Sequence, residues 1–479
     1  MTAPIVVLTP GTTAAHTAEQ ALVRLMPTDV HAVVGTGIVA LTALMLWYVP
    51  DRLVRRAFPA RPRSRASCRA SNRPAGTAAT ARVSLGSAIL LAALAVLGLT
   101  GPHDPLANLL PLGVWTVWWI GIATLIGVFG PTSVTLNPWS GVMRHALHQP
   151  AHSPGPVTLH ERAGAWPGVI LLLLTSGFVL ADPAPDDPAR LARLVIVWWG
   201  ATLLLMLAVG ERAWLGRGEC FSMLLARFAA LSPWQPDDDG RRRFGMPGRA
   251  LLPDAAPPDR TPGPVHDRSH GAAVFCLAIL GCGSFDGLAD TFVWLDLLGV
   301  NPLAYPGRSA MIGSTLSGLI GFNLLLVTLF ALAVLIGTRW AGSPRVGAGR
   351  AFDALAPCVL PIAFAYHASH YLGTFLVNAQ YALVALGDPL GRGTDPFGLG
   401  PWFVSTGFFN TPASVALIWF AQAGAVVAGH ALSVLLAHRI ALDLYGGHRR
   451  AFVSQLPLVG FMLGYTLFGL WLLAAPRGA

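Results

Sequence analysis

Runs of about 20 apolar residues recur from residue 31 to residue 475, and this feature constrains the chain more than any other. In hydrocarbon there is no water to satisfy a backbone N–H, so a segment of this kind closes its hydrogen bonds within itself as a helix. Reading for such runs places about ten spans, near 31–49, 84–101, 112–130, 166–182, 192–210, 271–298, 309–337, 353–386, 413–437 and 455–475. The eighth is too long for one straight crossing: either Pro361 kinks it or its inner end lies in the interface. The expected fold class is therefore all-α, a polytopic helical membrane protein. Its organisation is a short tail at 1–30, one transmembrane domain over 31–475, and a C-terminal tail at 476–479. Only 11% of residues are charged, against about 25% in soluble domains.

Charge sets the expected orientation. All 32 basic residues are Arg, which excludes a lysine Schiff base. They crowd into "DRLVRRAFPARPRSRASCRASNR", "GRRRFGMPGR", "GTRWAGSPRVGAGR" and "AHRIALDLYGGHRR". The alternate loops, such as "ADPAPDDPAR" and "LGDPLGRGTDPFG", carry Asp and Pro instead. The positive-inside rule then puts the N-terminus outside, in a plasma membrane of the bacterial inner-membrane type. The lipid bilayer is the expected partner, with a membrane partner subunit as a further expectation. The basic residues form no continuous face, so nucleic acid is not expected. The inner loops at 50–82 and 235–268 read as disordered, and 218–231 as an interfacial or re-entrant helix. The five cysteines form no C-x-x-C pair and suggest neither a disulfide framework nor a thiolate site.

The informative residues are the polar ones inside the spans, because each ionisable group at that depth costs roughly 2.5–3.5 kcal/mol on insertion scales. Asp286 and Asp290, four apart, share a face of the sixth span. The eighth carries Tyr366, His367, His370, Tyr371, Asn378 and Gln380; the ninth carries His430 and His438. Counting about 1.5 Å per residue from the outer helix ends, His370 and His430 both lie roughly 27 Å deep and Asp286 roughly 20 Å. Asp286, His370 and His430 are thus the expected ligands of a divalent metal, Zn or Fe, with His367, Asp290, Tyr371, Gln380 and His438 as secondary candidates. Haem held by His370 and His430 is the second choice. A histidine taken singly reads first as interhelical packing; the pair with a third histidine and an aspartate at matching depth is what points to a site. His145, His148, His152 and His160 fall in a Pro-rich loop and read as solvated.

The motifs "LNPW", "GECFSMLLARFAALSPW", "SFDGLADT", "HYLGTFLVNAQYALVALGDPLGRGTDPFG" and "AGHALSVLLAH" follow one another in that order. Over roughly residues 112–475 the chain resembles the fenitrothion hydrolase-like multi-pass membrane proteins. Asp286, His370, Tyr371, Gln380, Asp388, Asp395, His430 and His438 fall on the pattern, whereas His367 departs from it. The resemblance implies metal-assisted hydrolysis of an apolar phosphotriester, with a metal-bound water as nucleophile. Two other functions remain open: a transporter or permease for a metal ion or small molecule, its pathway lined by the same residues, and a haem-binding or structural subunit of a membrane complex.

Overall fold

The computed structural model describes residues 28–59, 78–130, 136–150, 155–157, 163–236, 241–252, 267, 269–301, 306–343, 346–395, 398 and 403–475. In chain order the helices are α1 (Thr28–Met45), α2 (Asp51–Ala57), α3 (Ala78–Thr100), α4 (Leu109–Phe129), α5 (Ser140–His145), α6 (Trp166–Ala181), α7 (Pro188–Val209), α8 (Glu211–Arg217) and α9 (Cys220–Leu231). They continue as α10 (His270–Ala289), α11 (Phe292–Leu297), α12 (Arg308–Ala341), α13 (Ala348–Leu355), α14 (Leu360–His370), α15 (Leu372–Gly387), α16 (Pro412–Tyr445) and α17 (His448–Ala474). Strands β1 (Trp234–Pro236) and β2 (Arg242–Phe244) form one antiparallel ribbon with Trp234 opposite Phe244.

All ten expected spans are helical, but the count of ten is corrected to eight helices long and apolar enough to cross a membrane among the described residues. The N-terminal run supplies only 14 suitable residues, Ala32–Met45, and Trp166–Ala181 supplies 16. The expected eighth span breaks twice. A 3-10 turn at Ala356–Val359 precedes Pro361, and the chain bends at Tyr371 (φ −92°, ψ 2°), which ends α14 and starts α15. The sixth likewise divides, because Asp290 ends α10 and Thr291 caps α11 through the Trp294 N–H.

Local signals explain most boundaries. Asp187, Ser269 and Thr411 each accept an N–H from the first turn of their helices, and Pro188 and Pro412 stand where no N–H is needed. Large apolar side chains such as Leu90, Val197, Leu204 and Leu417 point outward, as lipid-facing surface requires. Residues 112–122 of α4 wind as a π-helix.

Three expectations change. Of the two alternatives for α9, the interfacial one is corrected and the re-entrant one stays open: Cys220, Met223, Leu224, Leu225 and Arg227 through Leu231 are buried. Arg227 is held there by the Met223 carbonyl and by the face of Phe275, 4.6 Å from its guanidinium carbon. The loop at 50–82 contains α2, and 235–268 contributes to the ribbon and to a 3-10 turn at Arg249–Leu251; residues 60–77 and 253–266 lie outside the described residues.

Helices α14 and α16 approach closely within the core. A Cβ on Gly429 would lie 2.6 Å from Ala365 Cβ and 2.7 Å from the Pro361 carbonyl oxygen. Ser369 and Gln422 lock the same pair: Ser369 Oγ donates to the Gln422 carbonyl at 2.9 Å, and Gln422 Nε2 to the Ser369 carbonyl at 2.8 Å. Gly429→Leu is therefore expected to destabilise the bundle by about 1–3 kcal/mol or to prevent folding. Gly424→Leu, on the same helix with nothing within 4 Å of its Cβ, should be close to neutral. Thermal unfolding of the two purified variants in detergent checks the contrast.

Candidate functional site

Two groups of imidazole and carboxylate occupy opposite ends of the core. The first gathers around the bend at Tyr371. His370, the last residue of α14, places Nε2 3.1 Å from Asp286 Oδ2 on α10. Tyr371 donates its hydroxyl to the same carboxylate oxygen at 2.6 Å. Because the carboxylate only accepts, the His370 proton sits on Nε2. The Tyr366 ring stacks on His370 with centroids 5.3 Å apart and planes at 13°. Gly287 makes this possible, since a Cβ there would strike the Tyr366 hydroxyl and lie 3.6 Å from His370 Cε1.

His367 does not join that group by hydrogen bond. Its Nε2 donates to the Trp119 carbonyl at 3.0 Å, and its ring lies against Trp119 and Phe228. Trp119 belongs to the π-helical stretch of α4, whose shifted hydrogen bonding presents its carbonyl to α14.

His430 lies on a different level from His370. The Ser369–Gln422 lock fixes His370 beside residue 422 of α16, and His430 is eight residues further on, about 12 Å along the axis. Depths counted from span ends made the two match; the bend at Tyr371 removes that equivalence. His430 Nδ1 donates to the Val426 carbonyl at 2.8 Å, leaving Nε2 as a buried lone pair without a hydrogen-bond partner among the described residues. Nearby, Tyr465 donates to Ser284 Oγ at 2.5 Å.

The second group is at the arginine-rich side. Asp51 of α2, His438 of α16 and His448 of α17 each offer a ligand atom, all within 4.8 Å of one another; this is the one such three-residue group among the described residues. His448 Nδ1 lies 2.6 Å from Asp51 Oδ1, and its Nε2 3.0 Å from the Trp47 carbonyl. His438 is fully buried; its Nδ1 meets Gln455 Nε2 at 2.8 Å, and its Nε2 has no hydrogen-bond partner among the described residues. Gln455 Nε2 also donates to the Ala451 carbonyl at 3.0 Å, which fixes the amide, so it donates to His438 Nδ1 and the His438 proton sits on Nε2. A cavity of about 240 Å³ opens beside His438 and Gln455. Next to it, buried Arg439 pairs with Asp443, which also binds Arg55 at 2.7 Å.

The sequence thus brings out Asp286, His370 and Tyr371 as neighbours and His438 as part of a cluster, but it misses Asp51 and His448. Both stand in arginine-rich loop sequence. The signal was the ten-residue spacing of His438 and His448 across the Gly446–Gly447 turn, with Gly446 at φ 68°, which folds α17 back along α16. Gln380 is structural: it bridges the Leu376 carbonyl to both backbone groups of Ser405. Asp290 caps α10 in an exposed position. His145 and His148 are exposed, and His152 and His160 lie outside the described residues. The four described cysteines are buried and unbridged.

No protein-family model, no curated protein and no solved structure matches this chain.

Outside the membrane, Asp388 organises the loop after α15. Partial desolvation pushes its carboxyl up, but the N–H groups of Gly393 (2.6 Å) and Arg392 (3.0 Å) and the Thr394 hydroxyl outweigh it and hold it below the usual carboxylate range. A depressed folded value means that the loop's stabilisation is complete above the ordinary value of 3.8 and is lost as pH falls through the lower folded one. Hydrogen exchange at Arg392 and Gly393 should accordingly stay protected from neutral pH down to about pH 4 after correction for intrinsic rates. Asp388→Asn should remove that protection at neutral pH.

Proposed function

We propose that this protein is a permease for a divalent transition-metal cation, with Asp51, His438 and His448 as its binding station on the cytoplasmic side. The observation that carries this reading is the convergence of two imidazoles and a carboxylate within 4.8 Å, one of them the buried His438. A buried polar atom without a partner costs about 1–3 kcal/mol, which a folded protein retains where the atom has a use. Nε2 of His438 and of His430, eight residues apart on one helix, are both in that state. Beyond His430, Asp286 and His370 supply a second carboxylate–imidazole station near the other side. Stations spaced along a bundle interior are how ionisable groups at membrane depth serve an ion pathway. We place the arginine-rich side in the cytoplasm by the positive-inside rule.

Two imidazoles and one carboxylate suit Zn, Fe, Co or Ni rather than Ca or Mg. Asp51, His438 and His448 would hold the ion once His448, whose two nitrogens face the Asp51 carboxylate and the Trp47 carbonyl, gives up a proton and the Gln455 amide turns its oxygen to His438 Nδ1. A second reading, metal-assisted hydrolysis of an apolar phosphotriester, draws on the same site, because three protein donors leave one position of a tetrahedral metal for water. A haem held between His370 and His430 gains nothing from their roughly 12 Å offset.

The purified protein should bind Zn²⁺ stoichiometrically by elemental analysis and carry it into proteoliposomes. Asp51→Asn and His448→Ala should abolish binding, and Gln455→Leu should weaken it roughly tenfold or more. Zinc binding equal in wild type and His448→Ala would sink the site. Intact binding with no flux, together with phosphotriester turnover, would establish the hydrolase instead.

A further inference from the structure

A groove of about 1690 Å³ runs between α3, α4, α7, α9 and α15, on the other side of α4 from the polar core. Its lining spans Thr80 to Leu97 on α3, about 26 Å of helix axis, close to the roughly 30 Å hydrocarbon thickness of a bilayer. Through most of that length the walls are apolar and aromatic, with Leu90, Leu94, Trp118, Leu125, Trp198 and Leu383 among them. At the far end, near Leu97, Leu109 and Leu386, it stays apolar. At the near end it meets Asn137, Ser140, Arg144, Glu211 and Arg212.

The polarity is one-ended, and that decides the occupant. A helix from a partner protein crossing the bilayer carries polar groups at both ends; a lipid carries one polar head and an apolar tail. The charges at the near end are also unequal in their commitments. Glu219, which borders the groove, spends its carboxylate on the Phe221 and Ser222 N–H groups as the cap of α9. Glu211 accepts the Ser140 hydroxyl and stands 3.8 Å from Arg144 Nη2, a long contact for an ion pair. Arg144 Nε is buried and has no hydrogen-bond partner among the described residues. The carboxylates are therefore occupied within the protein, while the Arg144 guanidinium, 3.8 Å from Glu211, still lines the groove's end. Arginine pockets between membrane helices on the basic side are suited to phosphate headgroups.

The geometry points to a lipid site: the groove takes an anionic phospholipid, its chains along Trp118 and Trp198 and its phosphate at Arg144. This assignment is independent of the cation permease, since none of Asp51, His438 and His448 lines the groove.

Native mass spectrometry of the full-length protein, delipidated in detergent and offered phosphatidylglycerol or phosphatidylcholine with identical chains, tests it. Wild type should retain phosphatidylglycerol in preference to phosphatidylcholine. Arg144→Gln should reduce that preference roughly fivefold, with Arg144→Lys retaining part of it. Ala379→Trp, which fills the groove from α15, should reduce retention of both lipids. Equal retention of the two lipids by wild type would overturn the proposal, as would retention unchanged by Ala379→Trp. Should Arg144→Gln fail to fold, the wild-type comparison and the Ala379→Trp variant still decide it. Zinc binding by wild type and by Ala379→Trp, measured on the same samples, keeps a failure here distinct from a failure of the cation site.

Discussion

The close approach of α14 to α16 at Gly429 governs the rest of the core. A glycine there lets two backbones meet where any side chain would hold them apart, and the Ser369–Gln422 exchange of hydrogen bonds fixes the register at one end of the contact. With that register set, every polar group on α16 acquires a definite level. Gln422 is level with His370, while His430 and His438 follow at intervals of about 12 Å toward the arginine-rich side. Polar groups that looked like one cluster in sequence are spread along the length of α16.

The bend at Tyr371 is the second consequence. Helix α14 follows α16 and α10, whereas α15 leaves to pack on the π-helical part of α4. A break in a membrane helix exposes backbone groups that hydrocarbon cannot satisfy, so it persists only inside protein. Here the carboxylate of Asp286 takes up both His370 and Tyr371 at the break. The same stretch of α4 then serves two surfaces. Trp119 offers its carbonyl to His367 on the polar side, while Trp118 lines the apolar groove, and Phe221 packs edge-on against both rings. An aromatic partition thus divides a polar interior from a lipid-accessible one.

Much of this was legible in the sequence because the bilayer makes it so. The apolar runs are helical, since a backbone in that setting must close its own hydrogen bonds, although the sixth and the eighth divide. Asp286 with His370 was legible for the same reason: charge in an apolar run must have company. Helix breaks were less visible. Pro361 marked one, but nothing in "HASHYLGT" announces the bend at Tyr371, which depends on contacts with α10 and α4. Depth counted along an unbroken helix therefore misplaced His370 against His430. Asp51 and His448 were hidden by their surroundings, because loops dense in Arg read as solvated, and only the folding back of α17 along α16 and the docking of α2 brings the pair together.

The positions of the two carboxylate–imidazole groups also follow from the energetics of charge in a membrane. A carboxylate at mid-depth is costly in proportion to its distance from water, so a pathway that needs carboxylates keeps them near the ends. Asp286 sits within one turn of the end of α10, and Asp51 at the start of α2. Between them the interior relies on groups that can stay neutral and still offer a lone pair: His430, Tyr465 and Ser284. On the permease reading proposed above, imidazole in the middle and carboxylate toward the ends would let a cation be drawn in from either side without a buried fixed charge holding it halfway.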